Sequence, residues 1–241
     1  MKIVVVTTLY NAERYVEMCL FSIATQTFKD FVCYITDDLS TDNSVELVKK
    51  YIKNDKRFIL IENKEKKYQP GNYDQVIRNN PDINDNDIIV EVDGDDWLPD
   101  SKVFERLYKL YSDKNVWIAN GSFVYTNGQK GFSSPQKITP NLRKERFTAS
   151  HMRTWRAFLW RKIDQEDLKD ENGVFWKVTG DLSFMYPMLE MAGEEHYRFM
   201  NDTNYVYNEQ NPINDHKVDI TLVNDIAVKI RNKKPYQKIT S

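Results

Sequence analysis

The chain has 241 residues with 34 Lys and Arg against 36 Asp and Glu, a formal net charge of −2, 41% hydrophobic and 13% aromatic residues, and only 8 Gly and 8 Pro. That balance excludes a disordered or fibrous chain and suffices for one large α/β domain with a substantial core. It also offers no overall basic field, so no nucleic-acid partner is expected.

Residues 3 to 7, "IVVVT", form a β-branched run of the kind found in parallel strands buried on both faces. The run is too short and ends too polar for a secretory leader, and nothing in the chain approaches the roughly 18 apolar residues of a membrane span. A soluble, cytoplasmic protein without a transmembrane segment is the expectation. Tyr15, Met18, Cys19, Ser22 and Ile23 recur at helical spacing. "FVCYITDD" from Phe31 reads as a second strand ending in acid, "STDNSVELVKKYI" as a capped amphipathic helix and "RFILIEN" as a third strand. Cys19 and Cys33 lie in these apolar segments and read as core thiols, not as a disulfide.

After "QPGNYDQVIRNN", a loop and helix, "DIIVEVD" gives a fourth strand and "SKVFERLYKLYSD" a helix with its stripe at Val103, Phe104, Leu107, Tyr108 and Tyr111. The alternation predicts a doubly wound, mostly parallel α/β sheet, whose ligands sit at the carboxyl ends of the strands. "TTLYN", "TDDLSTD" and "VDGDD" fall at those ends. From about Val116 the alternation weakens. A strand and hairpin at "VWIANGSFVYTNGQ", a long loop, an aromatic-rich helix at "SHMRTWRAFLWRKI", a helix at "DLSFMYPMLEMAG", a strand near "NYVYNEQ" and a basic tail follow. The expected division is 1–115 and 116–241 within a single domain.

Asp93 and Asp95 flank Gly94, which permits a bend or a close approach. Repulsion between such acids requires a cation or several donors, and hard oxygen ligands suit Mg²⁺ or Mn²⁺. A solvated loop capping the next helix is the competing reading, and it suits Asp100.

The stretch "TTLYNAERYVEMCLFSIATQTFKDFVCYITDDLSTDNS" resembles family 2 glycosyltransferases of the GT-A fold, over the first hundred or so residues. The resemblance implies a metal-dependent, inverting transfer from a nucleotide diphosphate sugar, UDP-linked by expectation, to a hydroxyl of a glycan or other acceptor. It makes 1–115 the donor half and 116–241 the acceptor-binding half, a smaller acceptor-side subdomain with the C-terminal tail. Thr8, Tyr10, Asp37 and Asp38 fall where the family holds the base, and Arg78 where it often carries a further nucleotide contact. Asp93 and Asp95 match its DxD motif, in which the first acid meets ribose or metal and the second the cation bridging the diphosphate; Asp96 is expected to support the loop or the acceptor side and not to bind the metal directly. Asp181, in "VTGDLSFMYPMLEMAG", matches the later acidic motif that supplies the catalytic base, although Gly180 replaces the usual Glu. His216 falls where a late histidine can approach the metal.

The arginines and aromatics around Trp155 would suit core packing, an anionic acceptor, or a peripheral membrane contact. Trp97 and Trp176 are candidate walls of the acceptor cleft. Two other functions fit less well. A sugar-phosphate nucleotidyltransferase needs a Gly-rich basic loop that "TTLYNAERY" lacks, and a non-catalytic binding module would have no use for Asp93, Asp95 and Asp181 together.

Overall fold

A computed structural model of the protein describes residues 1–213, 217 and 219–240. The strands are β1 (Ile3–Leu9), β2 (Phe31–Asp37), β3 (Phe58–Glu62), β4 (Ile88–Glu91), β5 (Ile118–Tyr125), β6 (Arg153–Arg156) and β7 (Tyr197–Tyr207). Among the described residues they form one seven-stranded sheet in the order β3-β2-β1-β4-β6-β5-β7. The main helices are α1 (Val16–Ala24), α2 (Ser44–Ile52), α3 (Tyr68–Ile77), α4 (Val103–Tyr111), α5 (Ala157–Arg161), α6 (Gly180–His196) and α7 (Ile220–Arg231).

Both faces of the sheet are covered, as the β-branched strands require. Val4, Val6 and Ile89 pack with Trp155, Trp160 and Phe184 on one side. Their neighbours Ile3, Val5, Ile88 and Val90 pack with Leu20 and Phe104 on the other. Successive residues alternate between the two cores because side chains in a strand alternate faces.

Strands β1 to β4 run parallel, with Ile3 opposite both Phe31 and Ile88. The sheet continues across the 115/116 boundary, but by a different rule. Strand β6 pairs antiparallel with both β4 and β5, and β5 runs parallel to β7. Strand β6 is thus the one reversed strand among those described. Its first residue, Arg153, lies opposite Asn120 and beside the carboxyl end of β4.

The expected aromatic helix at 150–163 is corrected here. Residues Arg153–Arg156 are strand and only Ala157–Arg161 are helical. Trp155 and Trp160 are fully buried and stack with ring centroids 5.9 Å apart. Arg156 donates to the carbonyls of Val116, Tyr111, Asp113 and Asn86, and Arg161 pairs with Asp85. The segment is core and mortar, not a cationic membrane-facing helix. The tail also holds a helix that the sequence reading lacked, α7, whose Val223, Ile226 and Ile230 are buried and whose N-terminus Asp219 caps by accepting from the Leu222 N–H at 2.9 Å. No helix among the described residues is long and apolar enough to cross a membrane.

Candidate active site

The carboxyl ends of β1, β2 and β4 open into a cleft of about 520 Å³. Its walls carry Thr8, Tyr10, Asp38, Asp93, Asp95 and Asp181, six of the residues singled out in the sequence. Gly94 is needed at its place: a Cβ there would lie 2.8 Å from Leu9 Cδ1 and 2.9 Å from the Thr8 carbonyl. The Asp-Gly-Asp turn therefore sits tight against the end of β1, and the Gly94 N–H donates to that same carbonyl at 2.9 Å.

Asp93 accepts from the Thr8 hydroxyl at 3.2 Å and Asp95 from the Asn211 amide at 2.7 Å. Asp96 is buried and accepts from the Asn208 N–H at 2.7 Å, tying the turn to the end of β7 as the loop-supporting reading expects. Burial and the charge of Asp95 push the Asp93 carboxyl up to about 7. Burial also raises Asp95, and burial with the charges of Asp95 and Asp93 raises Asp96 well above the usual range. The three crowded carboxylates accept from a hydroxyl, an amide and an N–H, and the charge of Arg153 offsets their repulsion only in part, since Asp93 is still pushed up to about 7. Among the described residues a ligand atom from each of Glu91, Asp93 and His151 also lies within 4.8 Å of the other two.

On the β1–β2 side, Tyr10 is 44% exposed, and the Lys66 ammonium lies 3.1 Å from its ring centroid. Lys66 also donates to the Asp38 carbonyl at 2.8 Å, and burial lowers its pKa against the pull of Asp38 and Asp37. The Asp38 carboxylate accepts from the Lys67 and Tyr68 N–H groups at 2.8 and 2.9 Å and from Asn63 at 2.9 Å. It thereby caps the start of α3 while still facing the cleft.

Two nucleotide-contact expectations are not brought to the cleft. Asp37 holds the turn after β2 by accepting from the Ser40 N–H at 3.2 Å and is not on the cleft wall. Arg78 sits at the far end of α3, where it pairs with Asp74 at 2.6 Å and reaches toward the Arg161 carbonyl. Ser40 engages the Asp37 carboxylate and Asp74 the Nε of Arg78, local pairings that sequence alone cannot show. Trp176 lines the cleft, but Trp97 does not; its backbone bridges to Val206 instead. His216 lies outside the described residues.

Asp181 stands in the first turn of α6, and its Oδ1 accepts from the Leu182 N–H at 3.0 Å. A Cβ on the preceding Gly180 would come within 2.7 Å of the Pro70 ring, so the departure from the usual acidic pair has a steric cause. Asp181 Oδ2 accepts from Arg153 Nη2 at 2.5 Å, and Arg153 Nη1 donates to Glu91 at 2.6 Å. Burial pushes Glu91 up to about 8 against the pull of Arg153. His151 stacks on Tyr205 with centroids 4.5 Å apart, and burial, aided by the Arg153 charge, keeps it neutral. Lys66 and Asn211 are site residues that sequence reasoning missed, and neither belongs to a motif that spacing could flag; Arg153, one of the arginines read as suiting an anionic acceptor, instead pairs with Glu91 and Asp181.

A mostly parallel sheet with one reversed strand, and an acidic turn and a helix-borne carboxylate facing one cleft at its carboxyl edge, define a GT-A-type nucleotide-sugar fold. The family model "Glycosyl transferase family 2" matches residues 4–175, and the chain belongs to that family. Glycosyltransferase GlyA of Streptococcus pneumoniae is 33% identical over 132 residues, covering 54% of this chain and 18% of that protein. The chain superposes on S. aureus TarS 1–349 in complex with UDP with a TM-score of 0.67 at 21% identity, covering 86% of this chain and 60% of that fragment. It also superposes on mannosyltransferase PcManGT of Pyrobaculum calidifontis, in complex with GDP-Man and Mn²⁺, with a TM-score of 0.60 at 18% identity, covering 98% and 66%. The chain thus spans less than a fifth of GlyA's length.

Proposed function

We propose that the protein is an inverting glycosyltransferase that moves a sugar from a UDP-linked donor to a hydroxyl of a glycan or other acceptor. The observation that carries this reading is the convergence of Thr8, Tyr10, Asp38, Asp93, Asp95 and Asp181 on one cleft from four separate segments of chain. TarS, with UDP, supports a uridine donor, and PcManGT, with GDP-Man and Mn²⁺, supports a nucleotide sugar with a divalent cation.

The donor base lies against Thr8 and Tyr10, beside the Asp38 cap. Asp93 and Asp95 would hold the cation, Mn²⁺ or Mg²⁺, because the charge of Arg153, hydrogen-bonded to Glu91 and Asp181, offsets their repulsion only in part. When bound, that ion supplies charge neutralisation for the departing diphosphate. Asp181 accepts the proton of the acceptor hydroxyl as its oxygen bonds to the anomeric carbon. The bond from that carbon to the diphosphate oxygen breaks, the nucleoside diphosphate keeps the electron pair, and attack from the opposite face inverts the centre.

Thermal shift against a panel of nucleotides and nucleotide sugars tests the donor, since a ligand that binds the folded state raises the melting temperature. UDP or a UDP-sugar with Mn²⁺ is expected to give the largest shift. A larger shift with a guanine nucleotide overturns the uridine assignment, and no shift with any nucleotide overturns the enzyme reading.

A further inference from the structure

The fully engaged guanidinium of Arg153 has no part in the reaction as described. It is 5% exposed, it enters the cleft on the reversed strand, and it is the group that joins the donor-side strand β4 to the N-terminus of α6. Nη1 reaches Glu91 at 2.6 Å, Nη2 reaches Asp181 at 2.5 Å, and Nε reaches the Ala149 carbonyl at 3.2 Å. A planar fork bound at all three nitrogens has no rotational freedom left. The Asp181 carboxylate is in turn gripped on both oxygens, by Arg153 and by its own helix through Leu182 N–H.

We infer that Arg153 is a positioning residue for the transfer reaction, fixing the Asp181 carboxylate against the donor strand so that it meets the acceptor hydroxyl in one orientation. The inference rests on the reading of Asp181 as the base. Asp181 stands behind Thr179, a non-glycine residue with φ of +56°, at a helix start without a side-chain cap, and its own helix holds only Oδ1, through the Leu182 N–H, leaving Oδ2 to be fixed from elsewhere. Arg153 supplies the missing constraint from across the cleft. A lysine could match its charge but not hold Glu91, Asp181 and Ala149 at once in a fixed plane.

A charge-neutralising role for Arg153 must be separated from a positioning role, because removing Arg153 alone strands the buried Glu91. The double variant Glu91→Gln/Arg153→Gln, read against Glu91→Gln alone, makes that separation. The expected result is a folded protein with calorimetric UDP affinity in Mn²⁺ within about threefold of the Glu91→Gln reference and kcat lowered roughly 10²-fold, the scale of a misplaced reacting group. Arg153→Lys, the second variant, is expected to keep UDP affinity and recover only part of kcat, and it decides the matter if the double variant does not fold. Normal kcat in the double variant overturns the inference and leaves Arg153 as a counter-charge for Glu91. Full kcat in Arg153→Lys overturns it too, as does a loss of UDP affinity parallel to kcat. Asp181→Asn is the separate control: if it retains transfer, the base reading itself fails, and if it is inactive while the double variant is normal, only the role of Arg153 fails.

Discussion

The two halves of the sheet assemble by different rules. Before residue 115 each strand is a β-branched run followed by an amphipathic helix, every pair is parallel, and each carboxyl end delivers a polar turn to the same edge. After it, β6 runs backwards between β4 and β5, and it is the start of that strand, not its end, that reaches the edge. Reversal lets a residue from the second half, Arg153, meet Glu91 and Asp181 in the floor of the cleft. Parallel repetition builds a nucleotide-binding edge, and one inverted strand brings a cation into the floor beneath it.

The largest expected effect falls on the second half's contribution to chemistry. Asp181→Asn should lower transfer by about 10²–10⁴-fold, the scale of a lost general base, with calorimetric UDP affinity unchanged. Next is the claim that the β6 segment is core. Trp155→Ala should cost about 3–5 kcal/mol in urea unfolding, as for other large buried aromatics, whereas an exposed helical Trp155 would cost almost nothing.

A smaller effect concerns the donor edge in metal-free protein. The folded Asp93 carboxyl titrates near 7, above its unfolded value near 4. Its contribution to stability is thus complete below about pH 4 and is lost as pH rises through about 7. In EDTA the melting temperature should fall over that window, and Asp93→Asn should flatten the fall; an identical slope in the variant would contradict the assignment. The smallest expected effect separates residues on the edge from those merely near it. Arg78→Ala should change UDP affinity by less than about twofold, because the side chain serves Asp74 and not the cleft.

Legibility in the sequence follows the same division. Buried parallel strands are continuous apolar runs, so the polar turns at their ends are legible, and the resemblance to family 2 glycosyltransferases singles out Thr8, Tyr10, Asp38, Asp93 and Asp95 within them, all five of which line the cleft. Strand β6 is only four residues long and begins and ends in arginine, and with Trp155 inside it offers neither a helical nor an alternating pattern to read. Arg78 and Asp37 look like ligand contacts until Asp74 and Ser40 are seen to hold them, and such local pairing follows from three-dimensional proximity. Gly180 read as a departure from the family pattern and is explained only by Pro70, more than a hundred residues earlier in the chain.

The central claim is that the crowded acids at the end of β4 hold the cation that anchors a nucleotide diphosphate. Calorimetric titration of UDP into wild type and Asp95→Asn in Mn²⁺ tests it most directly. Binding by wild type that weakens by at least about tenfold in the variant, and likewise when EDTA replaces Mn²⁺, is the predicted result. Equal UDP affinity in all three titrations would contradict the account.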